Sequence, residues 1–190
     1  MTKNIEVELK FQLLNKSEVA AFLTDRADFR YTSFQHDIYY NAPDRDFLAD
    51  QGNISEWLRI RVEKDKAQIN YKDWHPRDNP IKTHCTEYET EVGSFEQLSL
   101  ILDALGFKKL IEVKKTRKAW LYKDAEVSID EVDELGWYLE AEYKGDELQD
   151  VAEIRAHLQS IVDDIGAKTR GPDIKGYPFG LLKKKGLVVS

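Results

Sequence analysis

Apolar and polar residues alternate with a period of two along much of this chain, the pattern of strands with one buried face. In the segment 5–13, Ile5, Val7, Leu9, Phe11 and Leu13 share one side, and Glu6, Glu8, Lys10 and Gln12 share the other. The same alternation predicts a strand at 57–63, where Leu58, Ile60 and Val62 oppose Arg59, Arg61 and Glu63. Another falls at 67–72, with Ile69 and Tyr71 opposite Gln68, Asn70 and Lys72. Further strands are expected at 37–41, around Tyr88 and Val92 (opposite Glu87, Glu89 and Glu91), and near 111–122, 126–132 and 137–143.

The period shifts to helical spacing in a few places. Asn15 followed by Glu18 is a capping-box start for a helix carrying Val19, Phe22 and Leu23. Ser94 with Gln97 opens a second through Leu98, Ile101, Leu102 and Leu105, and Gly106 stops it. Leu148, Val151, Ile154, Leu158, Ile161, Val162 and Ile165 predict a third, stopped at Gly166. Segments 41–56 and 73–85 show no period and read as loops. About eight strands and three helices make an α+β fold dominated by an antiparallel sheet. No repeat and no Pro/Gly/Ser-rich linker divides the chain, so residues 1–190 are expected to form a single domain.

Charge changes this picture. Of 190 residues 33% are charged, and 28 Lys+Arg against 35 Asp+Glu leave a net −7. That balance argues against a general nucleic-acid binder. No apolar run approaches the roughly 20 residues of a membrane span, and the N-terminus lacks the apolar stretch of a signal peptide. Cys85 is the only cysteine, so no internal disulfide forms. A cytoplasmic protein, with neither nucleic acid nor membrane as partner, is the expectation.

The charges are not scattered. Strand after strand carries them on one face: Glu6/Glu8/Lys10, Arg59/Arg61, Glu87/Glu89/Glu91, Lys115/Arg117 and Glu140/Glu142, with Lys72 and Asp130 alone on theirs. A solvated sheet face with cross-strand ion pairs explains one such strand. For so many, an open sheet leaves two edges to protect, whereas a closed barrel of about eight strands puts the charges around a lumen wide enough for a small ligand. Basic residues in a confined space call for a polyanion, since arginine forks match phosphate oxygens. Paired glutamates call for a hard cation such as Mg²⁺ or Mn²⁺. The residues thus read as a metal-dependent site for a short polyphosphate or nucleotide.

Ile5-Glu6-Val7-Glu8-Leu9-Lys10-Phe11 resembles the E-x-E-x-K signature of the CYTH superfamily, the triphosphate tunnel metalloenzymes. In family order follow Asp37-Ile38-Tyr39-Tyr40, Leu58-Arg59-Ile60-Arg61, Tyr71-Lys72, Glu87-Tyr88-Glu89, Leu105-Gly106-Phe107, Lys115-Thr116-Arg117, Asp130-Glu131-Val132 and Glu140-Ala141-Glu142. The resemblance spans nearly the whole chain and is nearest to the class IV adenylyl cyclase branch. It implies a closed antiparallel tunnel, with metal carboxylates at Glu6, Glu8, Asp130, Glu140 and Glu142. Substrate-binding cations are implied at Lys10, Arg59, Arg61, Lys72, Lys115, Arg117 and, late in the chain, Lys175. Of these, Glu6, Glu8, Lys10, Arg59 and Arg61 are implied to be catalytic, while Glu87 and Glu89 match an acidic pair of open role. The implied reaction converts ATP to cyclic AMP and pyrophosphate. Hydrolysis of tripolyphosphate or thiamine triphosphate is the alternative, and a non-catalytic polyphosphate-binding module is a third reading. A homodimer is compatible with the family.

Two departures stand out. Cys85-Thr86 occupy positions where an arginine often precedes the central glutamates, and the usual Ser-Tyr-x-x-Leu-Leu becomes Gly176-Tyr177-Pro178-Phe179-Gly180-Leu181-Leu182. His36, His75, His84 and His157 have no zinc-like spacing, and Cys85 has no base partner in sequence. Gly171 to Gly176 has P-loop glycine spacing, but Tyr177 replaces the lysine. Lys183-Lys184-Lys185 reads as a solvated tail, and the four tryptophans as packing residues.

Overall fold

The computed structural model describes residues 5–64, 66–145 and 150–189. The strands are β1 (Ile5–Glu6), β2 (Glu8–Leu13), β3 (Asp28–Asn41), β4 (Glu56–Glu63), β5 (Lys66–His75), β6 (His84–Val92), β7 (Lys108–Tyr122), β8 (Ala125–Val132), β9 (Gly136–Tyr143) and β10 (Thr169–Pro172). The helices are α1 (Lys16–Arg26), α2 (Phe95–Ala104), α3 (Val151–Asp164) and α4 (Gly176–Lys184). Leu148, expected to open the third helix, lies outside the described residues. Among the described residues no helix is long and apolar enough to cross a membrane.

All strands join one antiparallel sheet in the order β1-β6-β5-β4-β3-β7-β8-β9-β2-β10, curled into a half-barrel. This corrects the expected closed barrel of eight strands. The first strand is split at Val7. Its leading part pairs with β6 (Glu6 opposite Cys85) and its trailing part with β9 (Glu8 opposite Glu142). The hydrogen-bonded ladder is therefore open in order, while the peptide through Val7 ties its two ends together.

The convex face is apolar and covered by helices. Leu9, Phe11, Leu13, Val127, Ile129 and Leu139 pack with Val19 and Leu23 of α1 and Leu158 and Ile161 of α3. Ile38, Tyr40, Leu58 and Ile60 pack with Leu102 of α2. Ser94 caps α2 by accepting from the Gln97 amide at 3.2 Å, and Gly106 ends it at φ +86°, a conformation glycine adopts without strain. The Asn15 side chain reaches Glu18 at 2.6 Å, and also donates to the Gly166 carbonyl at 2.9 Å, so it ties α1 to the end of α3.

The concave face changes character along its strands. Ile111 and Val113 of β7, Val132 of β8, and Tyr39 and Trp57 form an apolar end filled by Tyr177, Phe179, Leu181 and Leu182 of α4. Two residues further along β7, on the same face, come Lys115 and Arg117. α4 thus closes the floor of a chamber whose remaining walls are charged. Sequence periodicity read this segment only as a motif variant, because Gly176, Pro178 and Gly180 obscure a helical pattern.

Three boundaries also differ. β3 extends back to Asp28, well before the expected 37–41, because its inward residues Ser33 and Gln35 are polar and Phe34 points to solvent, the reverse of an ordinary alternation. β5 and β6 extend to His75 and His84, pairing into both ends of the expected 73–85 loop and leaving 76–83 as the turn. β10 adds a short strand against β2.

Candidate functional site

The chamber has a volume of about 320 Å³ and gathers side chains from all ten strands and from the segment that runs into α4. Glu6, Glu8, Lys10, Arg59, Arg61, Lys72, Glu87, Glu89, Lys115, Arg117, Glu140, Glu142 and Lys175 all line it. Asp130 does not. It is fully buried behind Arg117 and Lys115 and serves them as a shared counter-ion.

Two buried aspartates organise the cations. Asp37 on β3 accepts from Arg61 through Nε at 2.7 Å and Nη2 at 2.8 Å, and from Arg59 Nη1 at 3.2 Å. Asp130 on β8 accepts from both Arg117 Nε and Nη2 at 2.7 Å, from Lys115 Nζ at 2.7 Å, and from the Tyr177 hydroxyl at 2.9 Å. Oδ2 takes three of these four bonds and Oδ1 takes one, the Arg117 Nε bond. Burial alone would raise both carboxyls, yet the flanking cations outweigh it. Asp37 lies well below the usual carboxylate range, and Asp130 is lowered to about 2.

The acidic wall is built on β2, β9 and β8, the strands that follow β7 in the sheet. Glu8 sits directly opposite Glu142 on β9, and Glu142 directly opposite Glu126 on β8. Three like charges in one cross-strand row are destabilising on their own. Burial, then the neighbouring Glu6 carboxylate, raise Glu142 to about 7, with Lys144 at 2.5 Å offsetting part of the effect. Glu140 behaves differently: burial would raise it, but Arg117 at 2.9 Å and Lys10 at 3.1 Å hold it well below its ordinary value.

Lys10 and Lys72 bridge the two walls. Lys10 contacts Glu8 at 2.9 Å, and Lys72 contacts Glu6 at 2.5 Å and lies 3.6 Å from Glu87. Burial opposes both ammonium charges, but the adjacent glutamates keep both lysines above their usual range. Lys115 has no such surplus of carboxylate. Burial first, then the Arg117 charge, lower it to about 7. The Arg59 Nε is buried without a hydrogen-bond partner among the described residues, a donor aimed into a basic wall and unused by the protein.

Glu87 accepts from Asn70, while Glu89 stands exposed at one mouth. Lys175 lines the chamber but its Nζ donates to the Gln51 carbonyl at 2.9 Å and lies 4.2 Å from the Phe179 ring centroid. Cys85 is fully buried, and its Sγ contacts Glu6 at 3.4 Å. Glu6, Cys85 and Glu87 hold ligand atoms within 4.8 Å of one another. Burial pushes the Cys85 thiol up, so it stays protonated and is a poor ligand beside the oxygen donors.

Glu8, Glu142 and Glu126 in one row, with Glu6 and Glu140 beside it, offer the oxygen donors that a hard divalent cation takes. Periodicity did not single out Glu126, Asp37 or Tyr177. Asp37 shares the inward parity of Tyr39 on β3, a signal that could have identified it.

Residues 4–176 match the CYTH domain family model. The chain is 32% identical over 160 residues to "Putative adenylate cyclase MJ0240" of Methanocaldococcus jannaschii, covering 83% of this chain and 87% of that protein. Its fold superposes on the PH1819 protein of Pyrococcus horikoshii with a TM-score of 0.80 at 29% identity, over 94% of this chain and 99% of that one. The Hippeastrum protein HpAC1, described as revealing a dominant triphosphatase activity, shares the fold at a TM-score of 0.61 and 16% identity, over 95% and 96% of the two chains. The chain belongs to the CYTH domain family.

Proposed function

We propose that the chamber binds a triphosphate together with Mg²⁺ or Mn²⁺ and cleaves one of its phosphoanhydride bonds, with ATP converted to cyclic AMP and pyrophosphate as the first reading. The observation that carries it is that two charged walls line one chamber. One is basic (Arg59, Arg61, Lys115 and Arg117 anchored on Asp37 and Asp130), and the other is the carboxylate row Glu8–Glu142–Glu126.

Phosphoryl chemistry depends mainly on positioning and charge stabilisation. The arginine forks, fixed from behind by aspartates, present their free edges to phosphate oxygens without rearranging. A divalent ion held by Glu6, Glu8, Glu140 and Glu142 supplies charge neutralisation at the phosphate oxygens when bound. Lys10 and Lys72, paired with those carboxylates in the free protein, would contact the polyanion. In cyclisation the ribose 3′-hydroxyl gives up its proton to water, its oxygen forms a bond to the α-phosphorus, and the bond from that phosphorus to the pyrophosphate oxygen breaks.

The 32% identical relative's name supports the cyclase reading, and the fold shared with HpAC1 supports hydrolysis as the second. Incubation with Mg²⁺ or Mn²⁺ and ATP, tripolyphosphate or thiamine triphosphate, with products separated by chromatography, tests both. Phosphate without cyclic AMP sinks the cyclase reading. Tight binding without any product leaves a polyphosphate-binding module.

A further inference from the structure

Lys82 lines the chamber yet is only 4% exposed, and its ammonium group faces no carboxylate within ion-pair distance among the described residues. Its Nζ is surrounded by neutral oxygens: Asn53 Oδ1 at 2.5 Å, Ser55 Oγ at 2.8 Å, the Pro76 carbonyl at 3.0 Å and the Arg77 carbonyl at 3.4 Å. An ammonium has three protons, and the three shortest contacts use all of them. Lys82 is therefore unlike Lys10, Lys72 and Lys115, because it has no donor left for a phosphate oxygen.

Its partners come from two separate stretches. Asn53 and Ser55 belong to the segment between β3 and β4, and Pro76 and Arg77 to the turn between β5 and β6. The same two stretches are stitched by Asn53 Nδ2 to the Arg77 carbonyl at 2.7 Å and by the Trp74 amide to the Ser55 carbonyl at 2.7 Å. Ile54, between two of the Lys82 acceptors, lines the chamber together with Trp74 and Lys82. This wall is mostly uncharged, whereas the groups that suit a triphosphate lie on the basic and acidic walls. Burying an ammonium among neutral dipoles is costly, and its hydrogen bonds to oxygens of both loops offset that cost only while the two loops stay together.

We propose that Lys82 is a positioning residue that clamps the 42–55 and 76–83 loops into one wall, and that this wall discriminates triphosphates carrying an organic group from bare tripolyphosphate. The inference rests on reading the chamber as a triphosphate site. Lys82 acts through Ile54 and its neighbours, and makes no contact with the phosphates.

The test compares wild type with Lys82→Met by calorimetric titration with Mg²⁺-ATP and Mg²⁺-tripolyphosphate, and by hydrogen exchange. The expected result is an ATP affinity weakened about tenfold with tripolyphosphate affinity held within about twofold. Amide protection is expected to fall together in both loops, at Asn53 and Thr83, and at the Trp74 amide that bonds to Ser55. In Lys82→Ala, added ammonium ions should restore ATP affinity by refilling the oxygen cage, while sodium should not. Equal weakening for both ligands, or unchanged protection in either loop, overturns the proposal. If wild type binds neither ligand, the triphosphate reading fails instead, and the exchange measurement alone still decides whether the clamp exists.

Discussion

Asp37 and Arg61 form a two-point pair, Nε to Oδ1 at 2.7 Å and Nη2 to Oδ2 at 2.8 Å, on adjacent strands where they sit directly opposite one another. The same carboxylate also accepts from Arg59. Replacing Asp37 by Asn leaves two buried guanidinium groups without their shared anion, and breaking a buried pair in this way costs about 3–5 kcal/mol. The expected outcome is a large drop in melting temperature that tripolyphosphate partly reverses, because the ligand supplies the missing negative charge. A melting temperature equal to wild type would contradict the anchoring role.

The carboxylate row makes an opposite kind of prediction. Glu142 is raised from 4.5 to about 7 by burial and by Glu6, so the native state binds its proton more tightly than the unfolded chain. Metal-free stability from this group therefore falls as pH rises from 4.5 through 7. Glu142→Gln should melt higher than wild type at pH 8 without metal, and should gain less from added Mn²⁺. Thermal melts at pH 6 and pH 8, with and without Mn²⁺, check both points. A variant stabilised by Mn²⁺ as much as wild type would remove Glu142 from the metal set.

Acid should attack the basic wall through its anchors. Asp130 is lowered from 3.8 to about 2, with Arg117 and then Lys115 overcoming the burial cost. Its stabilisation is fully present above the unfolded value near 4 and is lost as pH falls toward 2, a contribution on the order of 2 kcal/mol. Asp130→Asn should be less stable at neutral pH and show a shallower acid transition between pH 4 and 2. Parallel curves for the two proteins would show that the carboxylate does not drive that transition.

Lys115 predicts proton uptake on ligand binding. At about 7 it is largely neutral at pH 8 in the free protein, and a bound polyanion favours its charged form. Titration of tripolyphosphate at pH 8 in buffers of different ionisation enthalpy should show up to one proton taken up. The uptake should vanish in Lys115→Met, and uptake retained in that variant would assign the proton elsewhere.

Much of the site was legible because strand parity is rigid. Once Glu6, Glu8 and Lys10 alternate with Ile5, Val7 and Leu9, their common face follows from backbone geometry alone. The same holds for Arg59 and Arg61, Lys115 and Arg117, and Glu140 and Glu142, all of which line the chamber. What parity cannot give is depth. Asp130 shares the inward face, yet it lies behind Arg117 and Lys115, because long basic side chains reach past a short aspartate. Periodicity also fails where the interior is polar, as along Ser33 and Gln35. It fails again where a helix is built on Gly176, Pro178 and Gly180, since α4 owes its position to packing on Ile111 and Val113. Lys82 gave no signal, because its partners are carbonyl and amide oxygens that no charge pattern reveals.

The split first strand orders events in time. Glu6 finds its place only against Cys85, Glu8 and Lys10 only against Glu142 and Glu140, and Leu13 only against Thr169. The segment that leaves the ribosome first among these must wait for partners made much later, and such distant pairings form slowly. The acidic wall of the chamber is consequently incomplete in any nascent chain that stops short of β9. Binding competence should arrive in one late step rather than accumulate as synthesis proceeds.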